Sequence, residues 1–340
     1  MSLSTLGANM PSPRAPTPGL FLALLLLIPF PTSAQELLDQ ITALGTENAQ
    51  AYSAPLTEGL THTLTGGFMD RSAPLGAMRF DLGVRFLGAI PSGEGRTFRA
   101  IIPDEIHLGE DRFVQPYRPR DGSLDTPTIS GEGDGIVLVP DGDFRDALLA
   151  AGEDPGDYQI PLPPGLSLPL TPLLAVHASI GVGLGTEISL RFLPAFEATP
   201  ELGGLRSHGL SVSHELSHWF SSPLDLSAHL GYQEATAEDF LQASAVHYGL
   251  LAGVNAGPMN FFGGTMLRRG TTTVDYRISN PTGTPGLPQD GVQLSFDSEL
   301  STTPGYVLGA RLQLLVMNLA GHYTFGDQDV FSLKLGIGLP

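Results

Sequence analysis

The segment SHELSHWF, residues 213–220, contains the pattern His-Glu-x-x-His, formed by His214, Glu215 and His218. On a helix this pattern places two imidazoles on one face, one turn apart, where both can bind zinc while the glutamate acts as a general base. Glu238, further along the chain, would supply a third ligand. These residues define one hypothesis, a zinc-dependent hydrolase.

The residues around the pattern favour a strand instead, because serines and Glu215 occupy one parity and mostly apolar side chains occupy the other. In a strand, residues four apart are separated by roughly 13 Å, so His214 and His218 could not both approach a zinc ion at about 2 Å. We therefore predict no metal, no cofactor and no catalytic residue, and the zinc hydrolase stays as an alternative.

Most of this chain is predicted to form β-strands, because apolar and polar residues alternate in several ten-residue segments. In segment 78–86 the apolar parity contains Phe80 and Leu82, whereas Arg79, Asp81 and Arg85 occupy the other. The same alternation recurs in segments 187–192, 306–314 and 331–339. With 42 glycines and 29 prolines available for turns, the sequence predicts an all-β fold of about 12–14 strands.

Some of those strands rest on weaker patterns. Segments 60–69 and 96–107 are counted as strands, and segments 259–268 and 271–279 are counted separately, as are segments 292–300 and 306–314. Segment 109–172 is rich in proline, glycine and aspartate and is predicted to be a long, mostly irregular loop.

The N-terminal residues predict export. The run LFLALLLLIPF at 20–30 is followed by small residues up to Ala34, which is typical of a signal peptide spanning residues 1–34. This run is too short for a membrane-spanning helix, the alternative interpretation. Residues 35–52 have helical periodicity, and we expect segment 35–58 to be a short helix that acts as a plug, followed by a barrel over 59–340.

The polar parity of the strands favours a transmembrane barrel over an exported β-sandwich or solenoid, because it carries charges at strand centres where a lumen would be. The predicted lumen-facing residues are Arg79, Asp81, Arg85, Glu187, Arg191 and Arg311. Rings of such charges set the selectivity of pores. Equally, buried pairs of arginine and carboxylate would fill a narrow barrel, and the sequence leaves both interpretations open.

Composition excludes several other classes of function. The formal net charge of −18 leaves no basic surface for nucleic acid. The chain has no cysteine and therefore neither disulfides nor thiolate metal sites. Acidic residues in segment 109–157 lack the spacing of a calcium-binding loop, and no nucleophile elbow or phosphate-binding loop occurs. A lipase-type serine and histidine pair remains an alternative to which no particular residue points.

Three segments carry a resemblance to a known family: 52–91, which opens Tyr-x-x-Pro, 168–194, which contains LRFLP, and 214–233. Together they resemble a family of bacterial outer-membrane β-barrel proteins that is catalogued as a domain of unknown function. The resemblance covers about residues 36–338 and implies an outer-membrane location with no assigned activity. A looser likeness to long-chain fatty-acid channels implies that residues 36–58 lie inside the barrel.

The functional hypothesis is passive passage or binding of a small solute, including a hydrophobic one. The alternatives are a structural or surface-interaction barrel with a plugged lumen, and the zinc hydrolase. The expected partners are outer-membrane lipid, the solute and, during biogenesis, the barrel-assembly machinery, and no nucleic acid is expected.

Overall fold

The structure, a computed structural model, describes residues 45–108, 111–199, 203–237, 240–278 and 292–339. Helix α1 spans Thr46–Thr65 and helix α2 spans Gly142–Ala151. The ten strands of the main sheet, labelled here β1 to β10, are Phe80–Ile90, Thr171–Gly183, Thr186–Thr199, Gly203–Glu215, Asp225–Ala237, Leu241–Ala256, Met259–Ile278, Val292–Leu314, Met317–Phe325 and Asp329–Gly338.

These ten strands form a closed barrel in which every strand pairs antiparallel with its neighbour in sequence. The barrel closes between the first strand and the last, where Asp81 lies opposite Gly338 and Ile90 lies opposite Asp329. Within the described residues each strand pairs with a neighbour on both sides, although residues 292–305 of β8 pair with β7 alone. Closure therefore satisfies backbone groups that would be costly to leave unpaired in lipid.

The barrel has an apolar outside and a polar inside. In β5 and β10 exposed and buried residues alternate along the strand, and the exposed parity carries Leu230, Tyr232, Leu333, Leu335 and Ile337. The buried parity is polar or charged throughout much of the sheet. An apolar exterior of this extent would not stay dispersed in water, and this inverted distribution is that of an outer-membrane-type barrel.

The predicted fold class, a transmembrane antiparallel barrel with a short N-terminal helix, is confirmed. The predicted number of 12–14 strands is wrong, since ten strands close the barrel within the described residues. Segments 259–268 and 271–279 are parts of one strand, β7, and segments 292–300 and 306–314 are parts of β8. Segment 60–69 is not a strand: residues 60–65 are the end of α1, and residues 66–69 follow the helix. The sequence analysis did not predict β9.

The two ends of the barrel differ in the length of their connections. At one end, here called the turn end, β2–β3, β6–β7 and β8–β9 are joined by two residues each. At the other, the loop end, 80 residues separate β1 from β2. No helix among the described residues is long and apolar enough to cross a membrane.

Residues 91–170, here called the outer domain, include most of the predicted loop 109–172, which is more ordered than expected, and the predicted strand 96–107, which is two short strands. Strand Thr97–Arg99 pairs with Asp125–Pro127, Glu105–Leu108 pairs with Asp111–Val114, and Val137–Pro140 pairs with both Tyr117–Pro119 and Ile160–Pro161. Phe113, Phe144 and Leu148 are buried together beside α2. Burial in this small core raises the pKa of Tyr117, whose ring packs edge-on against Phe144.

Candidate functional site: the filled lumen

Helix α1 lies inside the barrel and begins near the loop end. Its Gln50 amide donates to the carbonyl of Asp297, which lies in the part of β8 nearest the loop end. Residues 66–79, here called the strap, continue from the helix to the start of β1 at the turn end. The chain therefore runs through the whole lumen before it forms the first strand.

The helix was predicted over 35–52, but the described helix runs from Thr46 to Thr65 and continues past Pro55. Residues 35–44 lie outside the described part of the chain. Hydroxyl side chains bond to the helix's own carbonyls, as between Thr63 Oγ1 and Gly59 O at 2.7 Å. The surrounding wall and these internal hydrogen bonds let a sequence rich in threonine form a helix in the lumen.

Neutral contacts join the helix to its surroundings. The hydroxyls of Thr61 and Thr272 are hydrogen-bonded at 2.8 Å, and the Tyr52 hydroxyl donates to the carbonyl of Pro164 in the outer domain. Leu64 and Leu87 are fully buried in one apolar cluster between helix and wall. Close approach is possible because residue 59 is glycine: a Cβ there would lie 2.4 Å from Thr171 Oγ1.

The strap begins with a sharp turn at Gly67, whose φ is +82°. The guanidinium of Arg191 closes over this turn: it donates to the carbonyl of Gly66 at 2.7 Å and lies 3.8 Å above the ring of Phe68. Its other hydrogen-bond partner is Gln233 Oε1, also at 2.7 Å. Within the described residues no carboxylate lies within ion-pair distance of Arg191, so the aromatic face and neutral oxygens are its contacts.

Buried ion pairs hold the middle of the strap. Asp70 accepts hydrogen bonds from Arg85 at 2.5 Å and from Lys334 at 3.1 Å. Asp81 lies 2.7 Å from Arg71, 2.5 Å from Arg311 and 2.7 Å from Lys334. We call this group the ionic cluster; its members are Asp70, Arg71, Asp81, Arg85, Arg311 and Lys334, all at most 7% exposed.

The end of the strap is fixed by polar side chains of the wall. The backbone N–H of Leu75 donates to Glu187 at 2.8 Å, and that of Ser72 donates to Asn260 at 3.2 Å. Glu187 also accepts from Ser189 at 3.1 Å. Wall side chains thus satisfy backbone groups of a segment that belongs to neither a helix nor a strand, which a buried loop requires.

Five of the six residues predicted to face the lumen are buried inside the barrel: Asp81, Arg85, Glu187, Arg191 and Arg311. The sixth, Arg79, lies exposed at the rim of the turn end. Sequence reasoning missed Asp70, Arg71 and Lys334. Lys334 could have been found, because it is the sole lysine and falls on the polar parity of the last strand.

The zinc pattern is divided between two elements. His214 and Glu215 end β4, whereas His218 lies in a short 3₁₀ turn, Ser217–Trp219, so the predicted strand ends earlier than expected. Both ring nitrogens of His214 have partners, Thr186 at 2.9 Å and Trp219 at 3.0 Å. Glu238 lies outside the described residues. Among those residues no three metal-ligating side chains form a cluster.

Comparison with solved structures finds matches at low similarity. Ail, the attachment invasion locus protein of Yersinia pestis, is 9% identical over 77% of this chain and 97% of its own, with a TM-score of 0.23. The translocator domain of the autotransporter NalP from Neisseria meningitidis is 10% identical over 91% and 100%, with a TM-score of 0.24. The strand order and register of this chain, and not these alignments, establish its fold.

A comparison with curated proteins finds no match. The profile of one protein family does match, over residues 17–339, which include the lumen helix, the strap, the outer domain and all ten strands. The chain therefore belongs to the family of unknown function DUF6588.

Proposed function

We propose that the protein is an outer-membrane barrel that is closed to passive diffusion in its resting state. Its functional surfaces are then the loop end and the turn end rather than an open lumen. The observation that carries this proposal is the filled lumen, in which α1 and the strap contact the wall from the loop end to the turn end. This proposal takes up the alternative of a structural or surface-interaction barrel with a plugged lumen, in place of passive passage of a small solute.

The placement of the ends supports an orientation. In outer-membrane barrels, short turns face the periplasm and long loops face the outside. The turn end of this barrel would then face the periplasm, and the outer domain would be displayed at the cell surface. Because α1 begins near the loop end, Thr46 would lie toward the outer face.

Conductance in planar bilayers tests the closed lumen. We expect the whole protein to insert without opening steps, and a variant that lacks residues 46–76 to conduct, because the wall strands begin only at Phe80. Heat-modifiable migration on gels would show that both proteins form barrels. Steady conductance of the unaltered protein at low voltage would contradict the proposal.

A gated passage is the second candidate function, and one observation favours it. Several buried polar atoms that face the lumen, among them Arg191 Nε and the Nδ1 atoms of His177 and His322, have no hydrogen-bond partner. Buried polar groups are normally satisfied. Water that entered the lumen when the strap was displaced would satisfy these unpaired donors and acceptors of the wall.

Tethering the strap separates the two candidates. Ser72 and Asn260 touch across the strap and the wall, with Asn260 Nδ2 2.9 Å from Ser72 Oγ. The chain has no cysteine, so Ser72→Cys with Asn260→Cys would introduce its sole thiols. If passage requires strap movement, voltage-induced opening will disappear on oxidation and return on reduction. A control pair, Ser244→Cys with Thr271→Cys, joins two wall strands and should leave opening unchanged.

A further inference from the structure

A cavity of about 400 Å³ lies at the turn end, between the strap and the turn that joins β6 to β7. Its polar lining comes from three arginines and three carboxamides: Arg71, Arg79, Arg311, Asn255, Asn260 and Gln313. Pro74, Leu75, Pro258 and Met259 supply an apolar part of the lining. The cavity is large enough for a small organic molecule. Its lining includes no residue of the zinc pattern and no residue of α1.

Two of the three arginines have donors to spare. Arg311 is 7% exposed, and its Nη1 has no hydrogen-bond partner, although its Nη2 donates to Asp81. Arg79 is exposed, and its guanidinium makes no hydrogen bond or ion pair within the described residues. Arg71, by contrast, is held by Asp81 at 2.7 Å. Arg79, which has no partner among the described residues, and Arg311 Nη1, whose one ionic contact is Asp70 at 3.9 Å, leave donors on this cavity for an anionic ligand.

The charges around the cavity leave a positive excess. The ionic cluster and Arg79 together contain five cations, Arg71, Arg79, Arg85, Arg311 and Lys334, of which Arg71, Arg79 and Arg311 line the cavity. Four carboxylates contact these cations or Asn255, namely Asp70, Asp81, Glu187 and Asp225, and none of the four lines the cavity. The two aspartates of the ionic cluster are each shared among several cations, and within the described residues none of the four carboxylates forms an ion pair with Arg79. An oxyanion would balance this excess.

We propose that this cavity binds a phosphate-bearing small molecule or headgroup, with Arg79 and Arg311 as the cationic contacts. Guanidinium groups bind phosphate through paired N–H donors, which a single lysine does not reproduce. The volume exceeds that of bare phosphate, and the proline, leucine and methionine side chains accommodate a short organic part. Arg79 stands between the exposed apolar residues Met78 and Phe80, so the phosphate can come from a lipid headgroup or from a soluble ester.

Isothermal titration with glycerol 3-phosphate, on the whole protein in a non-ionic detergent, tests the soluble source. We expect one site per barrel, weakened at least about ten-fold by Arg79→Gln, because the lost contact is charged. Arg79→Lys should restore only part of the affinity. Arg99→Gln, which removes an exposed arginine from the outer domain, is the matched control and should change nothing.

Native mass spectrometry tests the lipid source, with protein taken from nanodiscs that contain phosphatidylcholine alone or with phosphatidylglycerol. Retention of one phosphatidylglycerol that is lost in Arg79→Gln and competes with glycerol 3-phosphate identifies a headgroup site. Glycerol 3-phosphate binding without lipid retention identifies a soluble ligand. The proposal is wrong if neither probe binds, or if Arg79→Gln and Arg99→Gln bind both probes as the unaltered protein does. None of these results depends on whether the lumen conducts.

Discussion

The lumen helix and the strap fill two parts of one lumen with different chemistry. The helix is held by hydroxyl pairs such as Thr61 with Thr272 and by apolar contacts around Leu64. The strap is held by Asp70, which contacts cations from three wall strands, and by its own Arg71, which reaches Asp81. A regular helix satisfies its own backbone and needs only a fitting surface, whereas an irregular segment must be fixed by the wall.

This difference determines how each part can fail. A neutral hydrogen bond contributes about 0.5–1.5 kcal/mol, so losing one loosens the helix slightly. Removing one partner of a buried ion pair leaves an uncompensated charge and costs about 3–5 kcal/mol. The strap is therefore the part of the lumen filling that a single substitution can release, and it is also the part nearest the proposed anion site.

The largest effect is expected for Asp70→Ala, which removes the carboxylate that pairs with Arg85 and one of the two that pair with Lys334. We expect the free energy of unfolding, measured in urea with detergent micelles, to fall by about 3–5 kcal/mol. Adding Lys334→Met should recover part of this loss, because it removes one of the stranded charges. A loss below about 1 kcal/mol for Asp70→Ala would show that water or movement of the strap compensates the cluster.

The hinge between the two parts is the next test. Gly67→Ala places a side chain in a left-handed conformation, 2.6 Å from Leu87 Cδ2 and 2.8 Å from Arg191 Nη2. Strain and crowding together should cost about 2–4 kcal/mol. Gly122→Ala is the matched control: its φ is +79°, and its Cβ would meet nothing within 4 Å. Equal losses of thermal stability in the two variants would mean that the hinge is not crowded.

The sequence predicted the wall better than its contents. Alternation in segment 78–86 placed Asp81 and Arg85 on one parity, because period two is a local property of a strand. The number of strands was overestimated, because glycine and threonine near Gly270 resemble a turn, whereas β7 continues through a register shift. Local composition does not distinguish an irregularity inside a long strand from its end.

The contents of the lumen could not be predicted in the same way. Asp70 and Arg71 belong to no periodic segment. Their partners are found both near in sequence, at Arg85 and Asp81, and 264 residues away, at Lys334. The helix continues past Pro55 because the surrounding wall stabilises it, which propensity alone would not indicate. Only Lys334 carried a usable signal, namely an isolated charge on the polar parity of a strand.

A smaller effect is expected in the helix. Thr61→Val keeps the shape of the side chain and removes its hydrogen bonds to Thr272 and to the carbonyl of Thr57. We expect a loss of about 1 kcal/mol in the free energy of unfolding and no change in conductance. Thr273→Val, whose hydroxyl donates to Asp297 on the exposed part of the wall, is the control for a hydroxyl outside the lumen. Channel opening in Thr61→Val alone would place the weak point of the lumen in the helix rather than the strap.

The smallest effect is expected for an ion pair outside the barrel. Arg112 pairs with Glu105 in the outer domain, where their side chains are 62% and 41% exposed. Arg112→Gln should therefore change the free energy of unfolding by less than about 0.5 kcal/mol, and high salt should remove even that difference. The loss caused by Asp70→Ala should persist in high salt, because buried pairs are screened much less. If salt weakened both effects equally, ions would have access to the ionic cluster. The strap would then not exclude solvent from the lumen.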